Sequence, residues 1–237
     1  MLRSIKESYG HKLEALDGEI GRLKSFYFDE QNWAVRYLIA ETGTWLTSRQ
    51  VLISPLALSN TSLAGGITKV NLTRKQIEDS PTLEWHKPVS RRFEEEYYRY
   101  YGWPCYWQGG GLWGMSGFPI LEPPAKPFPG KPAALSDAQP ERADVRLWST
   151  LAVNGYNIEA SDGIIGHVCD FMFDARSWSI GQLVVKSGHR LSGKEMMIPT
   201  SAVGRIDYEG STMFINLTGQ AVEQSFSHHV PSVGAVD

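Results

Sequence analysis

The sequence predicts a mainly β protein of two small closed barrels in tandem, and three observations carry that expectation. The first is a duplication at a constant spacing of 145 positions: Asp17-Gly18-Glu19-Ile20-Gly21 returns as Asp162-Gly163-Ile164-Ile165-Gly166, and Phe26-Tyr27-Phe28-Asp29 as Phe171-Met172-Phe173-Asp174. The second is that the spacing never slips. It carries Trp33 to Trp178, Leu38 to Leu183, Gly43 to Gly188, Ile53 to Ile198, and Asn71-Leu72-Thr73 to Asn216-Leu217-Thr218. Two uninterrupted copies of one folding unit explain this pattern. The third is the character of each copy, short apolar stretches punctuated by glycine and aspartate, which is the signature of strands and tight turns.

Taken in order, Asp17-Gly18 and Asp162-Gly163 are hairpin-type dipeptides, because glycine accepts the positive φ such turns need. The strand that follows alternates, with Ile20, Phe26 and Phe28 on one parity and Ile165, Phe171 and Phe173 on the same parity of the copy. Asp29 and Asp174 open a second turn ahead of each tryptophan. Tyr37-Leu38-Ile39-Ala40 and Gln182-Leu183-Val184-Val185 read as a central apolar strand. A hairpin from Leu46 to Ile53, tipped by Ser48-Arg49, has its copy from Leu191 to Ile198 with Gly193-Lys194 at the tip; Pro55 and Pro199 end the strands that follow. A last strand, Thr68–Leu72 or Met213–Leu217, leads into a helical turn. Thr73 and Gln76 form a capping box there, whereas Thr218 keeps the cap and Ala221 lacks the second half. Closure into a barrel removes sheet edges that so small a domain cannot shield.

The Asp-Gly-x-Ile-Gly pattern with its following Phe-x-Phe-Asp resembles the PRC-barrel domain, named for the cytoplasmic part of the photosynthetic reaction-centre H subunit and found also in a ribosome-maturation factor. The resemblance covers both repeats. It implies tandem PRC-type barrels and docking onto larger assemblies, and it brings no set of catalytic residues. The domains expected are residues 1–83 for the first barrel, 84–146 for a helix, an aromatic loop and a linker, 147–227 for the second barrel and 228–237 for a flexible tail.

Residues 84–146 have no copy. Arg91 to Tyr101 reads as a helix starting after the cap Ser90, with Phe93, Tyr97, Tyr100 and Tyr101 on one face and Arg92, Glu95, Glu96 and Arg99 on the other. Gly102 to Gly114 is a Trp/Tyr/Gly loop, and half of the eight tryptophans (Trp85, Trp103, Trp107, Trp113) fall in this segment. Pro119 to Pro140 is rich in proline and alanine, a semi-extended tether. The aromatic residues either pack the helix and loop onto a barrel or form a partner-binding patch of Tyr97, Tyr98, Tyr101, Trp103, Trp107 and Trp113.

The remaining chemistry is sparse. Asp17, Asp29, Asp162 and Asp174 read as turn formers, since aspartate beside glycine serves the backbone and a turn is needed in each copy. Of the six histidines only His228 and His229 adjoin, in a Ser/Val/Pro-rich tail, and no metal-binding spacing appears. Cys105 has no neighbouring base to activate it, and Gly109-Gly110-Gly111 lacks the Gly-Lys-Ser/Thr of a phosphate loop. Asn60-Thr61-Ser62 and the two Asn-Leu-Thr triplets match glycosylation sequons by chance. A net charge of −3 gives no general attraction to nucleic acid. No apolar run is long enough to cross a bilayer, which leaves peripheral association open, and the two unduplicated cysteines read as thiols of a reducing compartment, the cytoplasm.

These features point to a non-catalytic binding or scaffold protein with no cofactor and no metal, docking a protein partner or forming a homo-oligomer. The alternative is a ligand-binding sensor or enzyme with a site between barrel and aromatic loop, and a ribosome- or RNA-associated factor is the third.

Overall fold

The structure is a computed structural model that describes residues 2–43, 46, 49–59, 65–82, 89–121, 146–188 and 194–226. Ser48, Gly193, Trp85, four of the histidines (His86, His189, His228, His229), the first sequon, most of the Pro/Ala tether and the tail lie outside the described residues. The protein is mainly β. Its strands are β1 (Leu2–Ser4), β2 (Lys12–Ala15), β3 (Gly18–Asp29), β4 (Ala34–Thr42), β5 (Gln50–Ile53), β6 (Ile67–Lys69), β7 (Leu147–Ser149), β8 (Asn157–Ala160), β9 (Gly163–Asp174), β10 (Ile180–Ser187), β11 (Glu195–Pro199), β12 (Val203–Asp207) and β13 (Thr212–Ile215). The helices are α1 (Arg74–Glu78), α2 (Arg91–Tyr101) and α3 (Gly219–Phe226).

The strands form two sheets. One runs β5-β4-β3-β2-β6 with β7 added on β3; the other runs β11-β10-β9-β8-β13-β12 with β1 added on β9. Neighbours are antiparallel except for the parallel pairs β2–β6 and β8–β13. The chain leaving β11 turns through a short 3-10 segment, Thr200–Ala202, and re-enters at the far end of the same path as β12. In the first sheet a matching 3-10 segment, Pro55–Ala57, follows β5 and leads to a bridge between Leu58 and Val70, beside the Asn71 N–H to Ala57 C=O bond of 2.7 Å.

The chain divides into two compact units, Ser8–Ser149 with Ala175–Ser179, and Met1–Glu7 with Thr150–Asp174 and Ile180–Asp237. The first is built on the first repeat and holds α2 with the aromatic loop; its core includes Ile20, Leu23, Phe26, Phe28, Leu38 and Ile53. The second has the equivalent core of Val168, Phe171, Phe173, Leu183 and Ile198. Bulges break strict alternation, with an extra residue in β3 between Leu23 and Ser25, one in β4 opposite Tyr27/Phe28 and one in β9 opposite Val184/Val185, so the apolar residues are not all of one parity. The hairpin read over 46–53 is instead the pair β4–β5, in which Leu38 faces Ile53 and Thr42 N–H reaches the Arg49 carbonyl at 2.9 Å.

The repeated motif has a steric basis. A Cβ at Gly21 would lie 2.1 Å from the Glu41 carbonyl oxygen, and one at Gly166 would lie 2.3 Å from that of Lys186, the equivalent residue. Only glycine lets these strands approach so closely. The preceding aspartates do more than turn the chain. Asp17 Oδ1 accepts the Arg74 N–H at the start of α1, and Asp162 Oδ1 accepts the Gly219 N–H at the start of α3, both at 2.7 Å. Each therefore satisfies a helix-end donor that would otherwise lack a partner. The Thr73/Gln76 box is complete, while Thr218 caps Ala221 alone at 3.1 Å. Trp33 and Trp178 both sit at positive φ, 50° and 62°, an unusual conformation for a bulky residue and the same one in each copy.

Candidate functional site

The unduplicated segment docks on β4 of the first unit, at a place where the two repeats differ. Where β10 has Gly181-Gln182, both half-exposed, β4 has Arg36-Tyr37, which are 1% and 0% exposed. Arg36 Nε donates to Asp29 Oδ2 at 2.6 Å, and its Nη1 donates to the Leu112 carbonyl at 2.6 Å. The guanidinium also lies 3.9 Å from the ring centre of Tyr106 and 5.0 Å from that of Trp113. Asp29 is fully buried, and its second oxygen accepts the Asn32 N–H at 2.6 Å. Burying this charge pair is tolerable because both ions are matched by further hydrogen bonds.

Tyr37 anchors the helix. Ser90 caps α2 by accepting the Phe93 N–H, and Gly102 ends it in the left-handed conformation at φ 68°. Inside the helix Glu94 is 1% exposed, and its Oε1 accepts both the Tyr37 and the Tyr106 hydroxyls at 2.9 Å while Oε2 accepts Arg91 at 2.9 Å. Burial raises the Glu94 carboxyl above its ordinary range, and Arg91 with the two tyrosine donors opposes that rise. Tyr97 donates to the Leu52 carbonyl and accepts the Ser54 N–H, each at 3.1 Å, and its ring packs edge-on to Tyr37 at 5.4 Å. Burial pushes the Tyr37, Tyr97, Tyr98 and Tyr106 phenols upward, and Tyr37, Tyr97 and Tyr106 act as donors.

The glycine-rich loop is tightly folded on this base. Gly111 N–H donates to the Gly114 carbonyl at 2.7 Å, Trp113 N–H to Ser116 at 2.8 Å, and Gly114 N–H to Tyr106 at 2.9 Å. A Cβ at Gly109 or Gly111 would come within 2.5 Å of a carbonyl oxygen. Trp113 Nε1 donates to the Ser177 carbonyl at 2.8 Å within the same unit.

Of the residues expected in a patch, Tyr97, Tyr98 and Trp113 are therefore buried, while Tyr101, Trp103 and Trp107 are half-exposed. The buried face of α2 centres on Glu94, Tyr97 and Tyr98, and Tyr100 is 41% exposed. Trp107 packs edge-on to Tyr98 at 5.4 Å, with the Arg91 guanidinium 4.1 Å from its ring centre. Tyr101 and Trp103 stack face to face, 4.4 Å between ring centres and 13° between planes. With Tyr100, Leu56, Leu72 and Leu121 they line a cleft of about 390 Å³, and Gln76 lies in its wall with its carbonyl accepting the Tyr100 hydroxyl at 3.0 Å.

No family model matches the chain, and no curated protein matches it.

Among the described residues, those that line this cleft include no Cys, His, Asp, Glu, Lys or Arg. Burial raises the Cys105 thiol to about 11 and also raises that of Cys169, the reverse of what an attacking thiolate needs. Among the described residues no group of three or more His, Cys, Asp or Glu side chains is placed to hold a metal, and no helix is long and apolar enough to cross a membrane. Sequence reasoning missed Glu94 as the helix anchor and Asp29 as an ion-pair partner. The one signal available was the departure of Arg36-Tyr37 from Gly181-Gln182 within otherwise matched strands.

Proposed function

We propose that the chain is a non-catalytic binding or scaffold protein of tandem PRC-barrel type, and that a protein partner docks at the cleft beside Tyr101 and Trp103. The barrel assignment is supported by the chain path: after β11, and likewise after β5, it turns a corner through a 3-10 segment and rejoins the opposite end of its own sheet. Such corners are how small barrels close. The observation that carries the docking reading is the stacked, half-exposed Tyr101–Trp103 pair. It rests on a helix pinned by buried hydrogen bonds, so it is presented rigidly, and rigid aromatic side chains are the residues that dominate protein interfaces.

The test is Tyr101→Ala with Trp103→Ala in the full chain. Both side chains lie at the edge of the cluster, so the far-ultraviolet dichroism should match that of the parent. Proteins captured by the parent chain in its native cell should be lost from the double variant. An unchanged set of captured proteins from a folded double variant refutes the docking site. A second reading is favoured by the cleft volume, which falls in the range of small-molecule sites. A metabolite that raises the melting temperature of the parent but not of the double variant would make the cleft a ligand site instead.

A further inference from the structure

Two three-residue strands are exchanged between the repeats, and the exchange follows the repeat spacing. β1 is Leu2-Arg3-Ser4 and β7 is Leu147-Trp148-Ser149, 145 positions apart, so they are the same element of the two copies. Neither pairs with the long strand of its own copy. β1 pairs with β9, Leu2 opposite Asp174 and Ser4 opposite Met172, while β7 pairs with β3, Leu147 opposite Asp29 and Ser149 opposite Tyr27. The two registers are identical once the repeat spacing is applied.

The slot on β9 is specific for the strand it holds. Ser4 Oγ donates to Asp170 Oδ2 at 2.5 Å, and the other Asp170 oxygen accepts the Lys6 N–H at 3.0 Å. Ile5 is fully buried and its N–H donates to the Phe171 carbonyl at 2.9 Å. The clasp has its counterpart at β3, where Ser149 Oγ and Ser25 Oγ are 3.0 Å apart; Ser25 is the position equivalent to Asp170. Yet residues 1–7 belong to the compact unit built on the second repeat, and the chain from Ser8 onward belongs to the other. Each slot thus recognises a strand whose covalent continuation lies outside the unit that binds it.

We propose that the β9 slot also accepts the β1 strand of a second copy of this chain, giving a strand-exchanged dimer. A second copy is the fitting occupant because it offers the very strand already seated, Leu2 to Ile5, with the same Ser4–Asp170 clasp and the same buried isoleucine. Closed and exchanged forms make the same slot contacts, so the balance between them is set by the turn at Lys6–Ser8 and by concentration. This inference stands on strand pairing and is independent of the aromatic cleft, so either can fail without the other.

The test uses the full chain carrying Cys105→Ser and Cys169→Ser, with Ser4→Cys and Asp170→Cys placed where the two side chains now meet. The chain is refolded under reduction at low and at high concentration, then oxidised and run on a non-reducing gel. Dilute refolding should give an internal link, and the covalently linked two-chain fraction should rise roughly in proportion to concentration. A one-chain link at every concentration overturns the proposal, and so does the absence of any link, which would empty the slot. Light scattering of the unmodified chain after the same refolding keeps the question decidable if the cysteine variant does not fold. A two-chain mass that Ile5→Asp abolishes supports exchange; a one-chain mass throughout, or a two-chain mass that Ile5→Asp leaves intact, refutes it.

Discussion

Replacing Arg36 by methionine should detach the aromatic segment from β4 and cost the first unit much of its stability. The side chain is buried and joined to Asp29 and the Leu112 carbonyl by bonds of 2.6 Å each. Methionine fills most of the volume but leaves the Asp29 carboxylate, itself fully buried, with the Asn32 donors alone. Removing one partner of a buried pair costs about 3–5 kcal/mol. Against a total of about 5–15 kcal/mol for a typical domain, that is a large fraction. Urea denaturation followed by tryptophan fluorescence measures the loss, and hydrogen exchange locates it, since protection should fall in α2 and in the loop from Trp103 to Phe118. The double variant Asp29→Asn with Arg36→Met should recover part of the loss, giving a coupling of at least about 2 kcal/mol. Single substitutions that cost under about 1 kcal/mol, or that simply add, would show that the pair does not hold the segment.

Two further outcomes are expected. Burial raises the folded-state Glu94 carboxyl, so the folded chain holds this proton more tightly than the unfolded chain does. The contribution is present in full below the unfolded carboxylate range and is lost as pH rises through the elevated folded value. Glu94→Gln should flatten that fall, as read from the difference between parent and variant denaturation curves between about pH 4 and 7; parallel curves would contradict it. Gly21→Ala and Gly166→Ala should each destabilise by about 1–3 kcal/mol or more, because the added methyl meets a carbonyl oxygen at 2.1 or 2.3 Å. Thermal unfolding checks this, and a melting temperature unchanged in either variant would remove the steric account of the repeated motif.

Much of the frame was legible because its causes are local. Asp-Gly turns, a capping box and a helix from Ser90 to Gly102 are decided by neighbouring residues, and the structure contains each of them. What escaped has causes distant in sequence. Asp29 looks like a turn former, and it does hold the Asn32 N–H, but its other oxygen is claimed by an arginine on the next strand. Glu94 belongs to neither face read from the helical spacing, because the Tyr37 and Tyr106 hydroxyls that hold it come from segments that no helical periodicity connects. β1 and β7 have three residues each, too few for alternation to register, and their partners lie across the repeat boundary. The aromatic loop stands out by composition, but which rings are covered depends on how it folds over Arg36.

The placement of Arg36 and Tyr37 also explains why an unduplicated segment can settle on one repeat and not the other. The two repeats offer nearly the same core, so apolar contact alone would distinguish them poorly. A buried charge pair contributes little net stability compared with well-packed apolar side chains. It does impose a requirement, because an arginine carried on β4 needs carbonyl and ring partners in fixed positions, and Leu112, Tyr106 and Trp113 supply them. The second repeat has Gly181 and Gln182 at these positions, so it lacks both the guanidinium and the phenol that receive the segment. Mislocated on that strand, Glu94 would be desolvated without the Tyr37 hydroxyl, a cost that apolar contacts do not offset. Specific docking here therefore arises from the penalty for the wrong site as much as from attraction to the right one.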